Sequence, residues 1–201
     1  MKLILGAVLV SFAVGYLIGG RLSGFASLRI RWGLLAIVGL ALQLVPVSSG
    51  NWPFVLLMVS YVLLFVFAAV NVRSPGFPLI LAGVVLNALV VGINHGMPVT
   101  RSALIASGQQ DTLGALLRGG GAKHHLAGPG DMALFLGDVI PIPWVSQVLS
   151  VGDLFTYAGV AWLIVGGMRR GRRDAAGSPD VTGPDSDTAE SAEQSTHRTQ
   201  A

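Results

Sequence analysis

The stretch FLGDVIPIPWVSQVLSVGD, residues 135–153, decides how the outer half of this chain folds. It joins apolar runs, two prolines at Pro141 and Pro143, and two acids at Asp138 and Asp153. A membrane-crossing helix needs about 20 consecutive apolar residues. This stretch is too short and too broken for that. Pro141 and Pro143 fix extended backbone over 140–144 and forbid a continuous helix. Trp144 favours a membrane–water interface. Irregular backbone survives in hydrocarbon only where protein or water satisfies its polar groups. The segment is therefore predicted to lie on the outer interface, or to re-enter the mouth of a helical bundle, with Asp138 at one end and Asp153 at the other.

The rest of the chain supplies the bundle. Of its 201 residues, 52% are hydrophobic and 11% charged, against about 25% charged in soluble domains. The mean hydropathy is +0.68. These values point to a lipid bilayer as the chief partner. The absence of cysteine excludes disulfides, thiolate metal ligands and a cysteine nucleophile. The net charge of +3 is unevenly spread. Residues 174–201 are acidic and rich in Ser, Thr, Gly and Pro, whereas residues 1–173 hold arginines beside apolar runs and four acids, Asp111, Asp131, Asp138 and Asp153. Arginine so placed anchors membrane helices rather than nucleic acid, which is not expected as a partner.

Apolar runs predict an all-α integral membrane protein of about five transmembrane helices, over Leu3–Gly20, Trp32–Val47, Pro53–Val72, Phe77–Ile93 and Val151–Met168. Residues 1–173 form the membrane domain, with an outer segment 94–150 that includes an amphipathic helix within 99–118. Residues 174–201 read as a disordered cytoplasmic tail, since they have too little apolar surface to offset chain entropy. The first run has no cleavage pattern, and its positive charges follow it at Arg21, Arg29 and Arg31. With Arg73 and the MRRGRR stretch (168–173), these place the N-terminus outside and the C-terminus inside by the positive-inside rule.

Polar residues within this frame are candidates for a site. Asn87 and Asn94 lie seven residues apart on one helical face. That face either provides interhelical glue or lines a polar cleft opening outward through His95, and Gln43 has the same two options. Gly96 and Pro98 read as a left-handed cap and a helix stop. Ser150, Gly152 and Asp153 have capping-box spacing, with the hydroxyl and carboxylate exchanging bonds to each other's backbone N–H. Lys123, His124 and His125 follow a Gly-rich turn, and Lys123 is expected to pair with an aspartate. Gly137 precedes Asp138 as a turn. No HExxH or comparable spacing supports a metal, no GxSxG elbow supports a serine nucleophile, and no cofactor fingerprint appears.

Taken together, NHGMPV (94–99), the Lys123-His124 pair, FLGDVIPIP (135–143) and SVGD (150–153) resemble a family of small multi-pass bacterial membrane proteins catalogued only as a domain of unknown function. The resemblance covers roughly residues 1–168. It implies a multi-pass plasma-membrane protein, and it assigns no activity, substrate or cofactor. Three readings follow. In the first, a binding, transport or assembly protein brings Asn87, Asn94, His95, Lys123, His124, Asp138 and Asp153 to an outward-facing polar site. In the second, the same groups serve a membrane-embedded enzyme, a metal-assisted hydrolase or an acyl transferase. In the third, the chain is a structural partner of another membrane protein, docked through small-residue faces such as Gly15-x-x-x-Gly19. The first is preferred, because reactive groups are sparse.

Overall fold

The computed structural model describes residues 2–28, 30–46, 50–119, 121 and 123–176. The chain is mainly helical. Three helices are long and apolar enough to cross a membrane: α3 (Trp52–Val70), α4 (Phe77–Asn94) and the first 20 residues, Val151–Arg170, of α7 (Val151–Ala176). Two further apolar helices are shorter, α1 (Lys2–Leu17) and α2 (Gly33–Leu44). Of the five spans expected, three thus have the necessary length. The local reasons are plain. Left-handed Gly19 ends α1, and Gly20 N–H returns to Gly15 O at 2.9 Å. Pro46 pushes Val45 into extended backbone and stops α2. At about 1.5 Å per residue, α2 rises about 18 Å, short of a hydrocarbon core of about 30 Å.

The last helix runs past its expected end at Met168 through Ala176, since nothing in the basic stretch breaks it. Residues 174–176 therefore continue the helix instead of opening the tail. The remaining tail, 177–201, lies outside the described residues, as does Arg29.

The helices pack in the lateral order α2, α3, α4, α7, α1. Glycines let α4 and α7 approach closely. A Cβ on Gly83 would strike Thr156 and the Gly152 carbonyl, and one on Gly159 would strike Ile80 and the Gly76 carbonyl. Gly15 faces Met168 of α7, so the small-residue face expected to meet a partner packs within the chain, while Gly19 serves as the cap. Arg21 donates its backbone N–H to Met168 O at 2.9 Å, and Arg31 donates its own to Asn71 Oδ1 at 2.8 Å. Arg21, Arg31, Arg73, Arg169 and Arg170 thereby gather at one end of the bundle.

The opposite end carries a small α/β cap built from residues 95–150. The amphipathic helix expected across 99–118 is two short ones, α5 (Arg101–Ala106) and α6 (Gln110–Leu117), parted at left-handed Gly108. Residue Val99 belongs instead to β1 (Met97–Val99), which pairs in parallel with β2 (His124–Leu126). The 135–153 stretch makes an antiparallel hairpin, β3 (Ile140–Ile142) with β4 (Gln147–Leu149), turning through a 3-10 corner at Pro143–Val145. Of the extended backbone expected over 140–144, residues Ile140–Ile142 adopt it, whereas Pro143 and Trp144 turn the corner. Trp144 is 81% exposed at this corner. Val99, Leu104 and Leu113 form the core of the cap, with Leu116, Leu126 and Val148 around them. A second core joins cap to bundle through Leu57, Val90, Val91, Met97 and Leu136.

Candidate functional site

A cavity of about 690 Å³ lies between the cap and the ends of α3, α4 and α7. Its walls combine Tyr61 from α3, Asn87 from α4, His124 from β2, Gln147 from β4, and Asp153 and Tyr157 from α7. Asp138 enters from the loop before β3, and Gln43, Lys123, Gln109 and Thr112 line the rest.

The floor is a closed polar ring. Asn87 Nδ2 donates to Asp153 Oδ1 at 2.9 Å, and Ser150 Oγ donates to Asn87 Oδ1 at 2.8 Å. Asp153 N–H donates to Ser150 Oγ at 3.0 Å, and Ser150 N–H to Asp153 Oδ2 at 3.1 Å. The capping box read from the sequence is thus present, and Asn87 ties it to a neighbouring helix. Gly152 must be glycine for this ring to close, because a Cβ there would collide with the Asn87 amide. With its hydroxyl engaged on both sides, Ser150 acts as a cap.

Asp138 is held by its backbone and left open at its side chain. Its N–H donates to Pro98 O at 2.9 Å, and its carbonyl accepts from Thr100 N–H at 3.1 Å, so it extends β1 by one bridge. Gly137 fits only without a side chain, since a Cβ would meet Pro98 O. The residue is 9% exposed, not a solvated turn position. Among the described residues no donor hydrogen-bonds its carboxyl group. Burial, and then the negative charge of Asp153, push that carboxyl up to about 8.

Successive residues of a strand face opposite sides, and this separates the two histidines. His124 Nε2 lies 3.6 Å from Asp138 Oδ2, too far for a hydrogen bond. Enclosure by the surrounding cap lowers the His124 pKa, with Lys123 and His125 adding to the effect and Asp153 opposing it. Half of the side chain, 53%, still meets solvent through the open cavity. At neutral pH the His124–Asp138 contact is therefore imidazole beside carboxylic acid rather than an ion pair. His125 points away and meets Asp131 Oδ1 at 2.8 Å. Burial raises the Asp131 pKa, but the Gly128 N–H and His125 outweigh it and leave the group lowered.

The structure brings together Asn87, Lys123, His124, Asp138 and Asp153, and leaves out two residues expected to join them. Asn94 clamps a loop, accepting from Met132 N–H at 2.8 Å and donating to Met132 O at 2.9 Å. His95 stacks on Phe54 at 5.1 Å and is itself the left-handed residue ending α4, a role expected of Gly96. Gly96 instead allows close approach to Lys123 O and His125. Among the described residues Lys123 pairs with no aspartate. Its ammonium donates to Gln43 O and Val45 O at the end of α2, where the helix dipole favours positive charge. Gln43 donates its amide to Ser60 Oγ at 2.8 Å and also lines the cavity, so it fills both roles considered for it. Tyr61, Gln109, Thr112, Gln147 and Tyr157 escaped the sequence reading. Tyr157 was accessible to it, being one helical turn from Asp153 on the same face. Among the described residues, no group of three or more His, Asp, Glu or Cys side chains is placed to hold a metal ion.

The model of a family of unknown function, DUF5317, matches residues 27–165. An uncharacterised protein of Thermotoga maritima is 34% identical over 130 residues, which is 63% of this chain and 69% of that relative. No solved structure matches the chain.

Proposed function

This chain belongs to the DUF5317 family, whose function is unknown, and we propose that it is a multi-pass plasma-membrane protein that binds a small polar molecule beneath its cap. One observation carries the reading. Asp138, Asp153 and His124, from three separate parts of the sequence, converge on a single cavity of about 690 Å³. That volume falls within the range of about 300–1,000 Å³ common for small-molecule sites. Recognition, assembly and passage of a ligand all begin with its binding, and binding is what the cavity supports most directly.

In the proposed frame, all five apolar helices enter the bilayer, α1 and α2 as short segments beside the three long ones. The cap and cavity face outward, and the arginine end faces the cytoplasm, as the positive-inside rule favours. The chain has no native cysteine, so single cysteines report cleanly. Asp111→Cys in the cap should react with an impermeant maleimide in intact cells, and Thr182→Cys only after lysis. The reverse pattern would invert the frame. For binding, a library of polar metabolites is screened by thermal shift on the full chain in nanodiscs. Stabilisation is expected with wild type and should be lost in Leu116→Trp, which fills the cavity. A shift that survives Leu116→Trp would place binding elsewhere.

A further inference from the structure

Resting on that binding reading, we infer that the ligand is a small organic cation, an amine or ammonium compound held between Asp138 and Asp153 with Tyr61 and Tyr157 beside it. The argument begins with the charges facing the cavity. Asp138 comes from the loop before β3, Asp153 from α7, and Lys123 and His124 from the start of β2, while Tyr61 and Tyr157 are neutral. Lys123 is committed to two α2 carbonyls. His124 is uncharged at neutral pH, its pKa being lowered. Both Asp153 oxygens accept hydrogen bonds, one from the Asn87 amide and one from the Ser150 N–H.

Asp138 is the group left over. It is buried, reaches the cavity, and has no hydrogen-bond donor among the described residues. With its pKa at about 8 it carries a proton at neutral pH. A bound ammonium would replace that proton. Its N–H groups would donate to Asp138 and Asp153, and the two tyrosines offer ring faces and hydroxyl oxygens suited to a cation. The balance is simple: the cation enters, Asp138 ionises, one proton leaves, and the cavity's net charge is unchanged. An anion would meet two acids, and a neutral ligand would leave the Asp138 proton in place.

The test is isothermal titration of the full chain in nanodiscs with methylammonium, ethylammonium and putrescine, beside acetate and glycerol. Buffers of different ionisation enthalpy measure proton release. The cations should bind with release of nearly one proton at pH 7, and Kd should fall about tenfold from pH 6 to pH 7. Asp138→Asn keeps the backbone bridge and should abolish both proton release and this pH dependence. The proton count on wild type stands even if that variant fails to fold. Cation binding without proton release would overturn the Asp138 assignment. Binding of acetate or glycerol in preference to the cations would overturn the cation inference and leave the binding reading intact. If no probe binds but the metabolite screen finds a Leu116→Trp-sensitive ligand that is not a cation, the cation inference alone fails. If neither finds a ligand, both fail.

Discussion

Raising the pH from 6.5 to 8 should destabilise this protein, and the loss should trace to one carboxyl group. Asp138 titrates at about 8 in the folded chain against 3.8 for an unperturbed carboxyl. Between those values the folded state holds a proton that the unfolded state has released, so stability falls as pH rises. His124 acts in the opposite direction. Its folded pKa lies below the ordinary 6.5, so its contribution is lost as pH falls through that value and grows by only a few tenths of a kcal/mol above it. The interval from 6.5 to 8 is therefore dominated by Asp138. The slope of about 1.4 kcal/mol per pH unit halves as the pH reaches 8, so the decrease is about 1–2 kcal/mol across the interval. Asp131, whose pKa is lowered from 3.8, titrates well below it. The assay is reversible unfolding in mixed micelles, following tryptophan fluorescence, at four pH values. Wild type should lose about 1–2 kcal/mol, and Asp138→Asn should be flat or rise slightly. Stability that holds steady or rises in wild type would show that the Asp138 carboxyl is ionised in the fold, and the burial argument would be wrong.

Three further tests probe the scaffold. Asn87→Ala and Ser150→Ala should each destabilise by about 1–3 kcal/mol, because each leaves a buried partner unsatisfied. The double variant should cost less than the sum, and strict additivity in the same assay would mean that the ring does not act as a unit. Gly152→Ala should cost about 1–3 kcal/mol by overpacking against Asn87, with Asn87→Ala partly relieving it; an unchanged unfolding midpoint would contradict the close approach of α4 and α7. Asn94→Ala frees the loop at Met132, so limited proteolysis should cut near 128–132 several-fold faster, whereas an unchanged cleavage rate would show that the clamp contributes nothing.

Much of this was legible in the chain itself. Apolar runs and arginine placement located the helices, because burial of apolar surface and the cost of charge in lipid act on local composition. The SVGD capping box was readable because its partners are three residues apart. Proline and glycine marked where helices had to stop, although the left-handed position at the end of α4 fell to His95 rather than Gly96. The lengths of α1 and α2 were overestimated, since hydropathy alone does not register a Gly19 cap or the constraint that Pro46 places on Val45.

Tertiary structure decided what the polar residues do. Nothing local distinguishes His124 from His125; the pairing of β2 with β1 turns one toward Asp138 and the other toward Asp131. Asn87 and Asn94 share a helical face, yet one meets Asp153 across the bundle and the other meets a loop. Lys123 finds its partners 78 and 80 residues away, at the end of α2. The titration of Asp138 depends on burial by elements distant in sequence and on the field of Asp153. Local sequence sets backbone preference and solvent, whereas charge and proximity at a site are sums over neighbours that only the folded chain assembles.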